Sequence, residues 1–204
     1  MKTLVIHPID PTTDFLTGMY VNQADYTIER EPLKHPNLKQ LILEHDRIMM
    51  LGHGLPGGLL EGFKQVIDDT YAEILKTKFC IGIWCYACEF FERHRLTGFY
   101  SGMMISEVAE AQLFGIPANW DEISASNAKY VTAFSNALIS DNFLDTFKDG
   151  YSPVETPLYQ FNQMRVFTNQ NPSNGHHSLL AELSRSKGKI IDFLRNFSED
   201  DELV

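Results

Sequence analysis

Cys85 and Cys88 stand three positions apart at the end of the apolar run "IGIWCYAC", residues 81–88. His53 follows a second apolar run, in "IMMLGHGLPGG". Three chemistries use such residues. A cysteine beside a histidine is a nucleophile, because the thiolate is the attacking species and a neighbouring imidazole promotes its formation. Trp-Cys-x-x-Cys also reads as a dithiol redox motif. Cys80, Cys85 and Cys88 with His53 or His94 would make a thiolate–imidazole metal set. Against the metal set, side chains alternate along a strand, so Cys80 and Cys85 should face opposite sides. Against the redox motif, the pair lies deep in the chain, with Pro117 the nearest candidate for an active-site proline. The redox reading also leaves "GHGLPGG" without a role. A nucleophile with His53 as its base uses both segments. Gly52 and Gly54 leave the backbone around His53 unshielded, so the Gly54 N–H can point at a developing oxyanion, with the nucleophile's own amide as a second donor.

The elements that must position these groups follow from the hydrophobic pattern. "TLVIH" (3–7) reads as a buried strand, "TDFLTGMYV" (13–21) as a short helix and "DYTIER" (25–30) as a second strand. "PNLKQLILEH" (36–45) is an amphipathic helix, with Leu38, Leu41, Ile42 and His45 at helical spacing. The run 48–51 stops at the Gly-rich turn as a buried parallel strand would. A helix over 67–78, a strand over 79–87, a strand over 97–106 and a helix over 107–115 continue the alternation. The second half reads as helices at 120–139, 142–150 and within 178–197, with a late strand near 163–169. Alternating strands and helices predict an α/β fold with a mainly parallel sheet. Sites in such sheets form outside the carboxyl ends of the strands, which is where His53 and the cysteine pair fall.

"IMMLGHGLPGG" followed by "CIGIWCYACEFF" resembles the caspase-like cysteine peptidases: caspases, metacaspases, clostripain, gingipains, legumain and CHAT domains. In that group an apolar strand ends in His-Gly, and the next sheet strand ends in a small residue followed by Cys. The matching residues are His53-Gly54 and Ala87-Cys88, and the resemblance covers roughly residues 1–115. It implies a three-layer αβα sandwich over 1–204, with an α/β core in 1–115 and a mostly helical remainder in 116–204. It implies a cysteine endopeptidase acting on a peptide or protein substrate through a Cys88–His53 dyad and a thioester acyl-enzyme, without a cofactor or metal. Cys85 and Cys80 are then small buried core residues. The stretch "YSGMMISEVAEA" would line the pocket for the residue before the cut bond, and Ser106 and Glu107 at its end could receive Arg or Lys. Glu107 and Glu110 also fit as first-turn helix acids. Tyr86 stands where the group usually has Asp or Gln, and "EFF" follows the cysteine where a small turn is usual. Those departures motivate an alternative, a caspase-like interaction domain without catalysis.

Composition sets outer limits. The net charge of −10 disfavours a phosphate backbone as partner, and the sequence shows no compensating basic patch. No apolar run reaches the length of a membrane span, and "MKTLVIHPID" is too short for a signal-peptide core, which reads as a cytoplasmic protein. Three cysteines make a disulfide framework improbable. "GLPGG" lacks the Lys-Ser/Thr of a phosphate-binding loop.

Overall fold

The computed structural model describes residues 1–151, 156–175, 177–178 and 181. Its first four strands in the large sheet are the apolar runs of the sequence. They are β1 (Thr3–Ile6), β2 (Tyr26–Glu29), β3 (Arg47–Leu51) and, after a small excursion, β7 (Phe79–Ile83). With β8 (Thr97–Ser101) and β9 (Val166–Thr168) they form a six-stranded sheet in the order β2-β1-β3-β7-β8-β9. All neighbours pair parallel except β9, which runs antiparallel to β8. The fold is therefore α/β on a mixed, mostly parallel sheet.

Both faces of the central strands are buried, as parallel strands require. Alternate residues divide between two clusters. Leu4, Ile6, Ile48, Met50 and Cys80 face one side. That side is covered by α1 (Leu38–Leu43), α2 (Ala72–Leu75) and α3 (Ala87–His94), through Leu38, Ile42, Leu75, Ala87, Phe90 and Phe91. Val5, Met49, Leu51, Ile81 and Ile83 face the other side. There the cover includes α5 (Trp120–Ala137) and α6 (Phe143–Tyr151), through Tyr130, Phe134, Phe143 and Phe147. Two covered faces are consistent with a three-layer sandwich. A third cluster joins α4 (Val108–Phe114), α5 and α7 (Pro157–Gln163) through Ala111, Ile123 and Leu158.

Several boundaries differ from the sequence reading. The glycine-rich turn after β3 opens into a second, antiparallel sheet of β4 (Gly54–Leu55), β5 (Gly58–Glu61) and β6 (Lys64–Ile67). Leu59, Val66 and Ile67 seal it onto the first cluster. The expected helix over 67–78 shrinks to a 3-10 turn at Asp69–Tyr71 and the single turn α2, because Ile67 ends β6. The expected strand over 79–87 ends at Ile83, and Ala87 already opens α3. α7 was hidden in a polar stretch. Most of the expected helix within 178–197 lies outside the described residues.

Candidate active site

Where β7 stops decides which cysteine reaches the sheet edge. Ala87 N–H donates to the Trp84 carbonyl at 3.2 Å and Glu89 N–H to the Tyr86 carbonyl at 3.0 Å, turning the chain sharply into α3. Tyr86 takes up that turn in the left-handed region, at φ 65° and ψ 24°. A buried aromatic residue held there carries backbone strain of the kind that collects at functional turns. Cys85 sits at the apex, before the first residue of α3, where the amino-terminal end of the helix favours negative charge.

The register then aligns the two reactive groups. β3 and β7 pair Arg47 with Phe79 and Leu51 with Ile83, an offset of 32 residues. Gly52 N–H extends the ladder by donating to the Ile83 carbonyl at 3.0 Å. The same offset continued past the strand ends sets His53 beside Cys85. Both line a small cleft with Gly52, Ser101, Met104, Ser106 and Glu110, among others.

Cys88 is elsewhere. It lies on the inner face of α3, fully buried in the first core cluster, and its thiol donates to the His177 carbonyl at 3.7 Å. Burial, reinforced by the Glu92 carboxylate, pushes that thiol up to about 12. Cys80, buried in β7, is likewise pushed up to about 12 by burial. The structure thus does not bring Cys88 to the cleft beside His53, and it exchanges the expected positions of the pair. Cys85, read from sequence as a small core residue, is at the cleft, and Cys88 is in the core. The physical reason is the early end of β7, since three further residues carry Cys88 almost one helical turn past the sheet edge. No disulfide links the three cysteines. Among the described residues no three His, Cys, Asp or Glu side chains gather as a metal-holding group.

Gly54 begins β4 and is forced to be small. A Cβ there would lie 2.0 Å from Cδ1 of Trp84 and 2.7 Å from the Gly58 carbonyl oxygen. Trp84 is fixed above it by its indole N–H, which donates to the Leu55 carbonyl at 3.2 Å. Leu60 N–H donates to the His53 carbonyl at 2.9 Å, so the adjoining Gly54–Leu59 pair is the non-hydrogen-bonded step of the ladder. The Gly54 amide therefore turns away from β5. Gly52, at φ 135°, supplies the backbone conformation that lets the chain leave β3 for this small sheet.

The two residues expected in a specificity pocket separate. Ser106 lines the cleft. Glu107 is the N-cap of α4, and its side chain and that of Glu110 form a reciprocal capping box. The carboxyl at the cleft is that of Glu110, whose Oε2 accepts from Ser106 N–H at 2.6 Å, Ser106 Oγ at 3.1 Å and Glu107 N–H at 3.0 Å. Burial pushes this carboxyl up to about 7 against those hydrogen bonds.

The loop after β1 closes the remaining side. His53 Nε2 lies 2.6 Å from Thr12 Oγ1 and 3.6 Å from Asp10 Oδ1. Asp10 Oδ1 accepts from Thr12 N–H at 2.9 Å and Thr12 O–H at 2.7 Å. Burial opposes ionisation of Asp10, but these bonds and the nearby His53 outweigh it, holding the carboxyl below its ordinary range. Beneath the loop, His7 is fully buried between Tyr20 Oη at 2.9 Å and Thr13 Oγ1 at 3.3 Å. The hydrophobic pattern marked only the strand at 3–7; the Asp-x-Thr turn that follows it was the available signal for this loop. Comparison with known protein families and with curated proteins returns no match for this chain.

Proposed function

We propose that this chain is a cysteine peptidase of caspase-like type, with Cys85 as nucleophile and His53 as general acid and base. One observation carries the reading: the neighbouring parallel strands β3 and β7 end at Leu51 and Ile83, two residues before His53 and Cys85, and both of those residues line one cleft. That is the arrangement the sequence resemblance implies, with the cysteine moved from Cys88 to Cys85. The stretch following β8 contributes Met104 and Ser106 to the same cleft, where the resemblance places the pocket for the residue before the cut bond.

The chemistry follows. Cys85 Sγ gives its proton to the His53 imidazole, and the thiolate attacks the peptide carbonyl carbon. The oxygen takes up the negative charge and is met by the amides of Gly54 and Cys85. The C–N bond then breaks as the imidazolium returns the proton to the leaving amine, which leaves a thioester on Cys85. A water molecule gives a proton to His53 and attacks the thioester. The C–S bond breaks and the thiolate recovers that proton, releasing the acid. The substrate is an extended segment of peptide or protein, and no cofactor enters the scheme.

The test is cleavage of a denatured-proteome peptide library, with new termini read by mass spectrometry. The expected result is a defined cleavage preference that disappears in Cys85→Ala and His53→Ala and persists in Cys88→Ala. Cleavage lost in Cys88→Ala but kept in Cys85→Ala would overturn the assignment.

A further inference from the structure

We infer that Thr12 and Asp10 complete the site as positioning residues, a hydroxyl–carboxylate relay that fixes which nitrogen of His53 carries the proton. The inference rests on reading His53 as the base for Cys85. It follows from counting protons. The Thr12 hydroxyl owns one proton and stands between two partners, Asp10 Oδ1 at 2.7 Å and His53 Nε2 at 2.6 Å. A carboxylate only accepts, and an ionised acceptor takes a hydroxyl proton in preference to a neutral ring nitrogen. The Thr12 proton therefore points to Asp10. Its oxygen must then accept, so His53 Nε2 bears the hydrogen that it donates to Thr12. In a neutral imidazole that leaves the lone pair on Nδ1, the nitrogen able to take the thiol proton.

The arrangement continues to act after proton transfer. Once His53 is an imidazolium, Nε2–H still donates to Thr12, and the Asp10 carboxylate lies 3.6 Å away as counter-charge. This is the logic of an acid that orients a catalytic histidine and stabilises its cation, with a hydroxyl interposed. The loop that carries the relay is itself held by a chain of one-way donors. Arg30 Nη1 donates to Tyr20 Oη at 2.8 Å, and the Tyr20 proton goes to His7 Nδ1 because the Thr13 hydroxyl, donating to the Asp10 carbonyl, requires the hydrogen on His7 Nε2. His7 Nε2–H then donates to Thr13 Oγ1, which donates to the Asp10 carbonyl at 3.4 Å. Asp10 is thus fixed from its backbone while its carboxylate fixes Thr12.

The test is the tautomer of His53, read by long-range 15N–1H correlation on uniformly labelled protein at pH 8. A parallel measurement is the rate of Cys85 alkylation by iodoacetamide. Wild type should show the Nε2–H form. Thr12→Ala should give a tautomer mixture and slow Cys85 alkylation by at least about tenfold, within the usual reach of a lost base. Thr12→Ser, which keeps the hydroxyl, should restore both. An Nδ1–H tautomer in wild type, or a tautomer indifferent to Thr12→Ala, would overturn the relay. Neither readout needs peptide cleavage. A correct tautomer response in a protein that cuts no peptide would therefore sink the peptidase reading and leave the relay standing.

Discussion

Brief treatment of the folded protein with iodoacetamide at pH 8 should label Cys85 far ahead of Cys88, and the margin can be worked from the structure. Burial pushes the Cys88 thiol up to about 12. At pH 8 its thiolate fraction is then on the order of 10⁻⁴, against about a quarter for a thiol of ordinary acidity. The more basic thiolate is intrinsically the better nucleophile, which returns roughly 40-fold at a Brønsted slope of 0.4–0.5. Measured against that reference thiol, ionisation alone therefore leaves Cys88 a deficit of roughly 50-fold. Burial adds to it, because Cys88 is fully enclosed in the core and must wait for local opening. Cys80, buried in the same cluster, should lag in the same way. The assay is quenched alkylation followed by tryptic mapping of all three cysteines, with a urea-unfolded control in which they should react alike. Labelling of Cys88 at a rate comparable to Cys85 in the folded protein would refute both the burial argument and the placement of the nucleophile.

Three other outcomes are expected. Gly54→Ala drives a methyl into Trp84 and the Gly58 carbonyl, so urea denaturation should show a loss of about 1–3 kcal/mol. His7 is pushed down to about 4 from 6.5, chiefly by burial and then by the Arg30 charge. The unfolded chain therefore binds a proton below about 6.5 that the folded chain refuses until about 4. Stability should fall by up to about 3 kcal/mol as pH drops through that window, and His7→Gln should flatten the slope in unfolding titrations. Glu107→Ala removes half of the α4 capping box and should cost about 1 kcal/mol in thermal or urea unfolding while leaving Cys85 alkylation unchanged.

Much of the scaffold was legible because strand and helix leave different periods in the sequence. The runs at 3–7, 25–30 and 48–51 became β1, β2 and β3, and "WDEISASNAKYVTAFSNALI" became α5. The structure starts α5 with a reciprocal Asn119–Glu122 capping box, a start signal that lay outside the hydrophobic pattern. The difference in placement at the site came from one apolar stretch. "FCIGIWCYACEFF" is hydrophobic on both sides of the strand-to-helix turn, so the change from period 2 to period 3.6 is hidden until Glu89, Glu92 and Arg93 mark an outer helix face. Extending β7 through Ala87 put Cys88 at the sheet edge; ending it at Ile83 gives that position to Cys85. The signal that separates them is the register offset of 32, which needs the β3–β7 pairing and cannot be read from either segment alone. The β4–β6 sheet escaped for a related reason, since "GLPGGLLEGFKQVI" has the glycines of a loop and strands only four residues long. Thr12 and Asp10 reach His53 across 41 and 43 residues of sequence, and no local pattern announces a contact of that kind. No helix among the described residues is long and apolar enough to cross a membrane.

The most direct test of the account is to trap the acyl-enzyme position itself. Wild type, Cys85→Ala, Cys88→Ala and His53→Ala would each be treated with a panel of peptidyl acyloxymethyl ketones bearing different terminal residues, and the adducts located by mass spectrometry. A peptide-dependent adduct is expected on Cys85 that survives Cys88→Ala, weakens in His53→Ala and is absent in Cys85→Ala. An adduct on Cys88, or folded protein whose Cys85 takes iodoacetamide but none of the peptide electrophiles, would contradict it.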